Sequence, residues 1–322
     1  MKISRERLFV EAEATGFRAE VLEKVIHLLG LLDGLQNHPY LKRKLVLKGG
    51  TALNLFFFDL PRLSVDIDLN YIGAQELETM LAERPQVEQA IQAVCLREGF
   101  AVRRIPDQHA GGKWLLRYES ALGTRANLEL DVNFMFRIPL WPVKKMASHQ
   151  IGSYRVEEIQ VLDLHELAAG KLAALLARYQ ARDLFDVHLL LYQSKLQREQ
   201  IRLAFVVYGA MNRKDWRTVS ADDLDFDEGE LERQLLPLLR VDSLPDEKQP
   251  HEYGRRLVEK CRDALELVLP LSKSEMEFLD RLLDEGEIQP SLITSDKDLQ
   301  EIIKRHPLLE WKALNVKQYK KK

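Results

Sequence analysis

Two aspartates one residue apart, Asp66 and Asp68, are the first residues of this chain whose types and spacing could do chemistry. On an extended strand successive side chains alternate faces, so both carboxylates point the same way, about 6–7 Å apart along the backbone. Val65, Ile67 and Leu69 then point into the other layer. Burying an ion without a partner costs several kcal/mol even after relaxation. Two acids on one face of an apolar strand therefore need a reason. One reason is structural: a strand end where both reach water or pair with Arg62. The other is chemical: a pair of oxygen ligands for a hard divalent cation. Upstream, Lys48-Gly49-Gly50-Thr51 offers two glycines that allow close backbone approach, ahead of an apolar run suited to a buried helix. Backbone N–H groups at a helix start attract phosphate. A phosphate cradle followed by a metal-binding acid pair is the equipment of phosphoryl transfer.

Gly49-Gly50-Thr51 followed by Asp66-Ile67-Asp68 resembles the signature of the DNA polymerase beta-like nucleotidyltransferase superfamily. The longer strings Leu47-Lys48-Gly49-Gly50-Thr51-Ala52-Leu53 and Arg62-Leu63-Ser64-Val65-Asp66-Ile67-Asp68 resemble, more narrowly, the AbiEii/AbiGii toxin family with its MenT relatives. The resemblance implies an α+β fold, a mixed sheet flanked by helices, followed by an all-α C-terminal lobe, with the site in the cleft between them. It implies transfer of a nucleoside monophosphate from a nucleoside triphosphate to an acceptor hydroxyl, with release of pyrophosphate. Asp66 and Asp68 would hold Mg²⁺ (or Mn²⁺), and Asp131 would complete a second metal site or act as base. Lys48, Gly49, Gly50, Thr51 and Ser64 would receive the nucleotide. The implied biology is a toxin of a toxin–antitoxin pair, with RNA as acceptor, tRNA 3′ ends as the leading candidate, and a cognate antitoxin protein as partner. Two other readings stay open: transfer to a small molecule such as an aminoglycoside, and a catalytically silent nucleotide- or RNA-binding module.

The elements that must position these residues can be read around them. Thr51 is placed to cap a helix over 52–58 through its hydroxyl; Pro61 ends that helix, and residues 63–69 form the Asp-X-Asp strand. Over 127–134, Leu128, Leu130, Val132 and Phe134 alternate with Glu129, Asp131 and Asn133, a half-buried strand. In the superfamily a third carboxylate lies on the strand beside the Asp-X-Asp strand. Asp131 matches it in type and order, but Glu129 shares its face and the choice is open. Residues 4–40 read as two helices, 75–98 as a helical stretch split at Pro85, and 100–105, 114–120 and 159–162 as strands. Arg103, Arg104, His109, Lys113, Arg117 and Arg125 cluster around two of these strands. They either solvate an exposed sheet face or line a groove for a nucleic-acid backbone.

A second informative segment spans 163–192. Asp163 with Glu166 three residues on has the form of a capping box. Lys171, Leu175, Arg178, Arg182 and Asp186 fall on one stripe if the helix runs unbroken, and on spacing alone they make a ladder of surface ion pairs. Lys171-Leu172-Ala173-Ala174-Leu175 and Arg182-Asp183-Leu184-Phe185-Asp186 also resemble the family's downstream motifs. That resemblance implies that Lys171 contacts nucleotide phosphate and that Asp183 and Asp186 belong to the site. Loss of Lys171 is then expected to impair nucleotide use more than folding.

The whole chain sets the bounds. Its 322 residues, 46% hydrophobic and 30% charged, suffice for two lobes, divided here at 1–160 and 161–322. A formal net charge of −3 restricts any RNA-binding surface to a local patch. Cys95 and Cys261 lack metal-ligand spacing, which argues against a zinc site and for a reducing compartment. No apolar run is long enough to span a bilayer, so the cytoplasm is the expected location and no membrane partner is expected. Helices are expected over 196–208, 229–239, 250–268 and 273–283. The seven acids within 222–232 read as a solvated segment, and 320–322 as a tail.

Overall fold

The alternation read around Asp131 becomes the middle of a seven-stranded mixed sheet in the computed structural model, which describes residues 3–105, 111–244 and 250–320. The strands are β1 (Leu45–Lys48), β2 (Asp66–Tyr71), β3 (Ala101–Ile105), β4 (Gly111–Glu119), β5 (Arg125–Asn133), β6 (Lys144–Met146) and β7 (Ile159–Val161). Their spatial order is β3-β4-β5-β2-β1-β7-β6. β2 runs parallel to β5 and antiparallel to β1, while β3, β4 and β5 form an antiparallel meander.

One face of this sheet is a core. Ile67, Leu69, Tyr71, Trp114, Leu116, Tyr118, Leu128, Leu130 and Val132 are all buried. Each large apolar side chain removed from water there contributes about 1.5–3 kcal/mol. Helices α1 (Arg5–Thr15) and α2 (Ala19–Gln36) precede the sheet; α2 packs on β5 and β7, and its His27 lies against Tyr118 at 4.1 Å between ring centres.

Helix α3 (Gly49–Ala52) starts on Gly49, three residues before the expected position, and continues as a wider-wound segment, Leu53–Phe57. Thr51 is thus inside the helix, and its hydroxyl donates to the Asp66 carbonyl at 2.5 Å instead of capping. The strand likewise begins at Asp66: residue 63 is held elsewhere, its N–H donating to the Leu238 carbonyl at 2.9 Å. Helix α4 (Leu77–Arg97) runs unbroken through Pro85. The carbonyl that Pro85 leaves without a donor is that of Leu81, and both residues are exposed, so water can take the missing partner's place.

By its contacts the chain forms two units. The first holds the sheet: residues up to Arg137, Pro142–Leu162 and Leu236–Leu244. The second holds Ile138–Trp141, Asp163–Leu235 and the described residues from 250 onward, and all its regular elements are helical. They are α5 (Leu164–Arg178), α6 (Ala181–Gln193), α7 (Arg198–Ala210), a single turn α8 (Glu228–Glu230), α9 (Pro250–Ala264), α10 (Lys273–Asp280), α11 (Lys297–Lys304) and α12 (Pro307–Tyr319). α5 packs on α7, and α6 on α9.

Candidate active site

The registers of β2 and β5 gather the acids. Asp66 lies opposite Glu129 and Asp68 opposite Asp131, so all four carboxylates share one face of two adjacent strands. All four residues are half-buried, while the alternating residues behind them are buried in the core. Lys48, the last residue of β1, lies opposite Asp68 on the same face.

The turn before α3 is shaped around Asp68. Gly49 has φ +73°, a left-handed conformation that side chains rarely adopt, and a Cβ placed on it would lie 2.5 Å from Asp68 Oδ2. Glycine is therefore required there on two counts, and the close approach seats the helix start against the carboxylate. Thr51 ties the same helix to the backbone of Asp66. Gly50 and Ser64 are buried beside them.

Lys113 on β4 lies opposite Asp131, and its Nζ is 2.6 Å from Glu129 Oε2 but 3.7 Å from Asp131 Oδ2. Burial holds the Asp131 carboxyl above the usual carboxylate range; Lys113 pulls it down, and Asp68 and Glu129 push it up. Lys113 in turn has its ammonium held above the usual lysine range, chiefly by its bond to Glu129. In kind, the donors fit a hard divalent ion: four carboxylates, oxygen only, on one face. Among the described residues, however, no group of three is gathered closely enough to form a ready-made metal site.

The same registers sort the basic cluster that the sequence treats as one group. Arg103 and Arg117 lie on the carboxylate side of β3 and β4 and are exposed. Arg104 lies on the opposite side, paired with Glu88 at 2.9 Å and stacked over Trp114. Arg125 pairs with Glu119 across the hairpin at 3.3 Å. His109 falls outside the described residues.

In the helical unit the stripe from Lys171 to Asp186 is not one helix. Tyr179, with φ 54°, ends α5, and α6 starts two residues later. Lys171 Nζ meets Asp183 at 2.8 Å and Asp186 at 2.9 Å, and Arg178 adds a second bond to Asp183 at 2.8 Å. Both acids are fully buried. Burial alone would raise the Asp183 carboxyl, but Lys171 and Arg178 bring it below the usual range. Asp163 does cap α5, accepting from the His165 N–H. Glu166 does not complete a capping box; its carboxyl accepts from the Trp141 N–H at 3.2 Å and the Tyr208 hydroxyl at 2.9 Å. Burial pushes it up to about 7, against the hydrogen bonds that lower it.

Sequence reasoning missed two features here: Lys113 as a partner of the site's acids, and Glu166 as a buried carboxyl. The signal for Lys113 was available in the hairpin register. Cys95 and Cys261 are buried, with thiols pushed up to about 12 by burial, which makes them inert packing groups.

Residues 31–271 match the family described as nucleotidyl transferase AbiEii toxin, type IV TA system. No curated protein matches the chain. Among solved structures, the chain is similar to MenT4, a nucleotidyltransferase toxin from Mycobacterium tuberculosis H37Rv. The TM-score is 0.61 at 16% identity, over 98% of this chain and 99% of that one. At that identity the likeness speaks for the fold, a nucleotidyltransferase-type mixed sheet with a helical unit.

Proposed function

Since this chain belongs to the AbiEii family of nucleotidyl transferase toxins from type IV toxin–antitoxin systems, we propose that it moves a nucleoside monophosphate from a nucleoside triphosphate onto a hydroxyl of an RNA acceptor, with Mg²⁺ or Mn²⁺. A tRNA 3′ end is the leading acceptor, and a cognate antitoxin is the partner that family membership implies. In the reaction the acceptor oxygen attacks the α-phosphorus, the bond to the β-phosphate oxygen breaks, and pyrophosphate leaves. The observation that carries the reading is the registered set of four carboxylates on β2 and β5 beside the Gly49 turn.

Asp66 and Asp68 would hold the divalent ion, with Asp131 as the third ligand. An ion there neutralises charge on the triphosphate and on the leaving pyrophosphate. Asp131 rather than Glu129 is the third carboxylate of this reading, because Lys113 engages Glu129 the more closely of the two. The alternative role for Asp131 is that of base for the acceptor hydroxyl. Gly49, Gly50 and Thr51 bring backbone N–H groups to the phosphates, with Lys48 and Ser64 beside them. Lys171, Asp183 and Asp186 enter through the resemblance of their segment, as a phosphate contact and members of the site.

The test is incubation with each labelled nucleoside triphosphate, Mg²⁺ and total RNA. Label entering RNA, and lost with Asp68→Asn, is the expected result. Label on a small molecule in the absence of RNA would replace the acceptor, and absence of pyrophosphate release with every nucleotide and acceptor would remove the enzymatic reading of this chain.

A further inference from the structure

Lys113 and Lys171 each sit between two carboxylates, and their exposures differ. The Lys171 side chain is 11% exposed between acids at 2% and 0%, whereas Lys113 is 33% exposed between acids at 44%. Lys171 cannot leave without stranding buried charge. Lys113 can, because water reaches both the ammonium and the acids it would abandon.

The place that Lys113 occupies is set by the fold. The β4–β5 register puts it directly across from Asp131, with Glu129 one pleat away. A lysine ammonium is a compact point charge with three donors, so it can satisfy two carboxylates as a small cation does. It lies 2.6 Å from Glu129 Oε2 and 3.7 Å from Asp131 Oδ2, an asymmetric seat that leaves Asp131 the looser partner.

We infer that Lys113 is the chain's own occupant of the cation position on this face: its tethered ammonium holds Glu129 and Asp131 without metal, and a divalent ion gains Asp131 by displacing it. This rests on the metal-binding part of the function proposed above and adds to it a residue that sets the affinity of the site for its ion. Lys113 is a positioning residue in this role, not a ligand, and the competition makes metal loading depend on the charge at position 113.

The experiment is a titration of the intact protein with Mn²⁺ alone, with free ion followed by electron paramagnetic resonance. It uses wild type, Lys113→Met, Lys113→Arg and Asp68→Asn at one ionic strength. Removing a unit charge a few ångströms from the ion should tighten Mn²⁺ binding about tenfold in Lys113→Met. Lys113→Arg keeps the charge and should titrate close to wild type. Mn²⁺ should also raise the melting temperature of Lys113→Met more than that of wild type, since tighter binding to the folded state stabilises it further. Equal Mn²⁺ affinity in Lys113→Met and wild type, with binding weakened in Asp68→Asn, would overturn the inference and leave the metal reading intact. Failure of all four proteins to bind Mn²⁺ would overturn both.

Discussion

The sheet and the helical unit each carry a lysine between carboxylates, and the two clusters solve the charge problem differently. In the helical unit Asp183 and Asp186 are fully buried, and Lys171 and Arg178 answer them at 2.8–2.9 Å. Compensation there is strong enough to bring the Asp183 carboxyl down despite its burial. On the sheet Lys113 lies between the half-exposed Glu129 and Asp131, with Lys48 on the same face, and Asp131 stays above its usual range. Complete compensation makes a keystone. A carboxyl left above its usual range, as Asp131 is, gains by the approach of a further cation.

The comparison can be broken first at Lys171. Removing one partner of a buried charge cluster strands the others, so Lys171→Ala should destabilise the fold by about 3–5 kcal/mol in denaturant titrations. Measured beside turnover, this loss of stability tests the expectation from sequence that nucleotide use suffers more than folding. Lys171→Met combined with Asp183→Asn and Asp186→Asn should recover much of the loss, because no ion is then left buried alone. A Lys171→Ala protein with wild-type stability would mean that the cluster is no keystone.

Glu166 sharpens the contrast, as a buried acid held by the Trp141 N–H and the Tyr208 hydroxyl. Its carboxyl lies at about 7 folded against 4.5 unfolded, so it binds its proton more tightly in the folded chain. That contribution is fully present below pH 4.5 and is lost as pH rises through about 7. The difference corresponds to about 3 kcal/mol of stability. Glu166→Gln, which cannot ionise, should flatten the fall between about pH 4.5 and pH 7; an unchanged profile would assign the pH dependence to another group.

On the sheet the expected change in stability is smaller and opposite in sign. Asp68→Asn removes one of the charges that push the Asp131 carboxyl up, so metal-free stability should hold or rise, by about 1 kcal/mol at most. Turnover should be lost, because the amide is a poor ligand for a hard ion. An Asp68→Asn protein that unfolds would make Asp68 a structural residue, and one that turns over normally would end its role as a ligand.

The parts of this arrangement legible in the sequence are those fixed by local periodicity. Alternation from Leu128 to Phe134 revealed which acids share a face, and the Gly49-to-Asp68 spacing marked the candidate site. What escaped depended on register or on distant chain. Charges counted along the chain put Arg103, Arg104 and Lys113 in one patch, whereas pairing across the hairpin from Glu119 and Arg125 puts Lys113 on Asp131 and sends Arg104 to the core side. The break at Tyr179 carries neither glycine nor proline to announce it. The anchoring of Leu63 by Leu238 joins segments far apart in sequence, and no local pattern encodes it.

The smallest effect on stability, and the finest test of the sheet, concerns RNA. Arg103 and Arg117 are exposed on the carboxylate side, one on each of two adjacent strands. Arg104 is adjacent in sequence to Arg103 but faces the other way, held by Glu88. If the acceptor's backbone runs along the carboxylate face, replacing Arg103 and Arg117 by alanine should weaken RNA binding across sequences. Each lost phosphate contact should lower the slope of log affinity against log salt by about 0.7–0.9. Arg104→Ala removes the same charge from nearly the same place in the sequence, so it should leave that slope unchanged. The pair of measurements separates a track on one face from net charge alone. Equal slope losses for Arg103→Ala and Arg104→Ala would mean that RNA senses the charge of the unit rather than the side on which the register displays it, and the acceptor's path would then lie off this face.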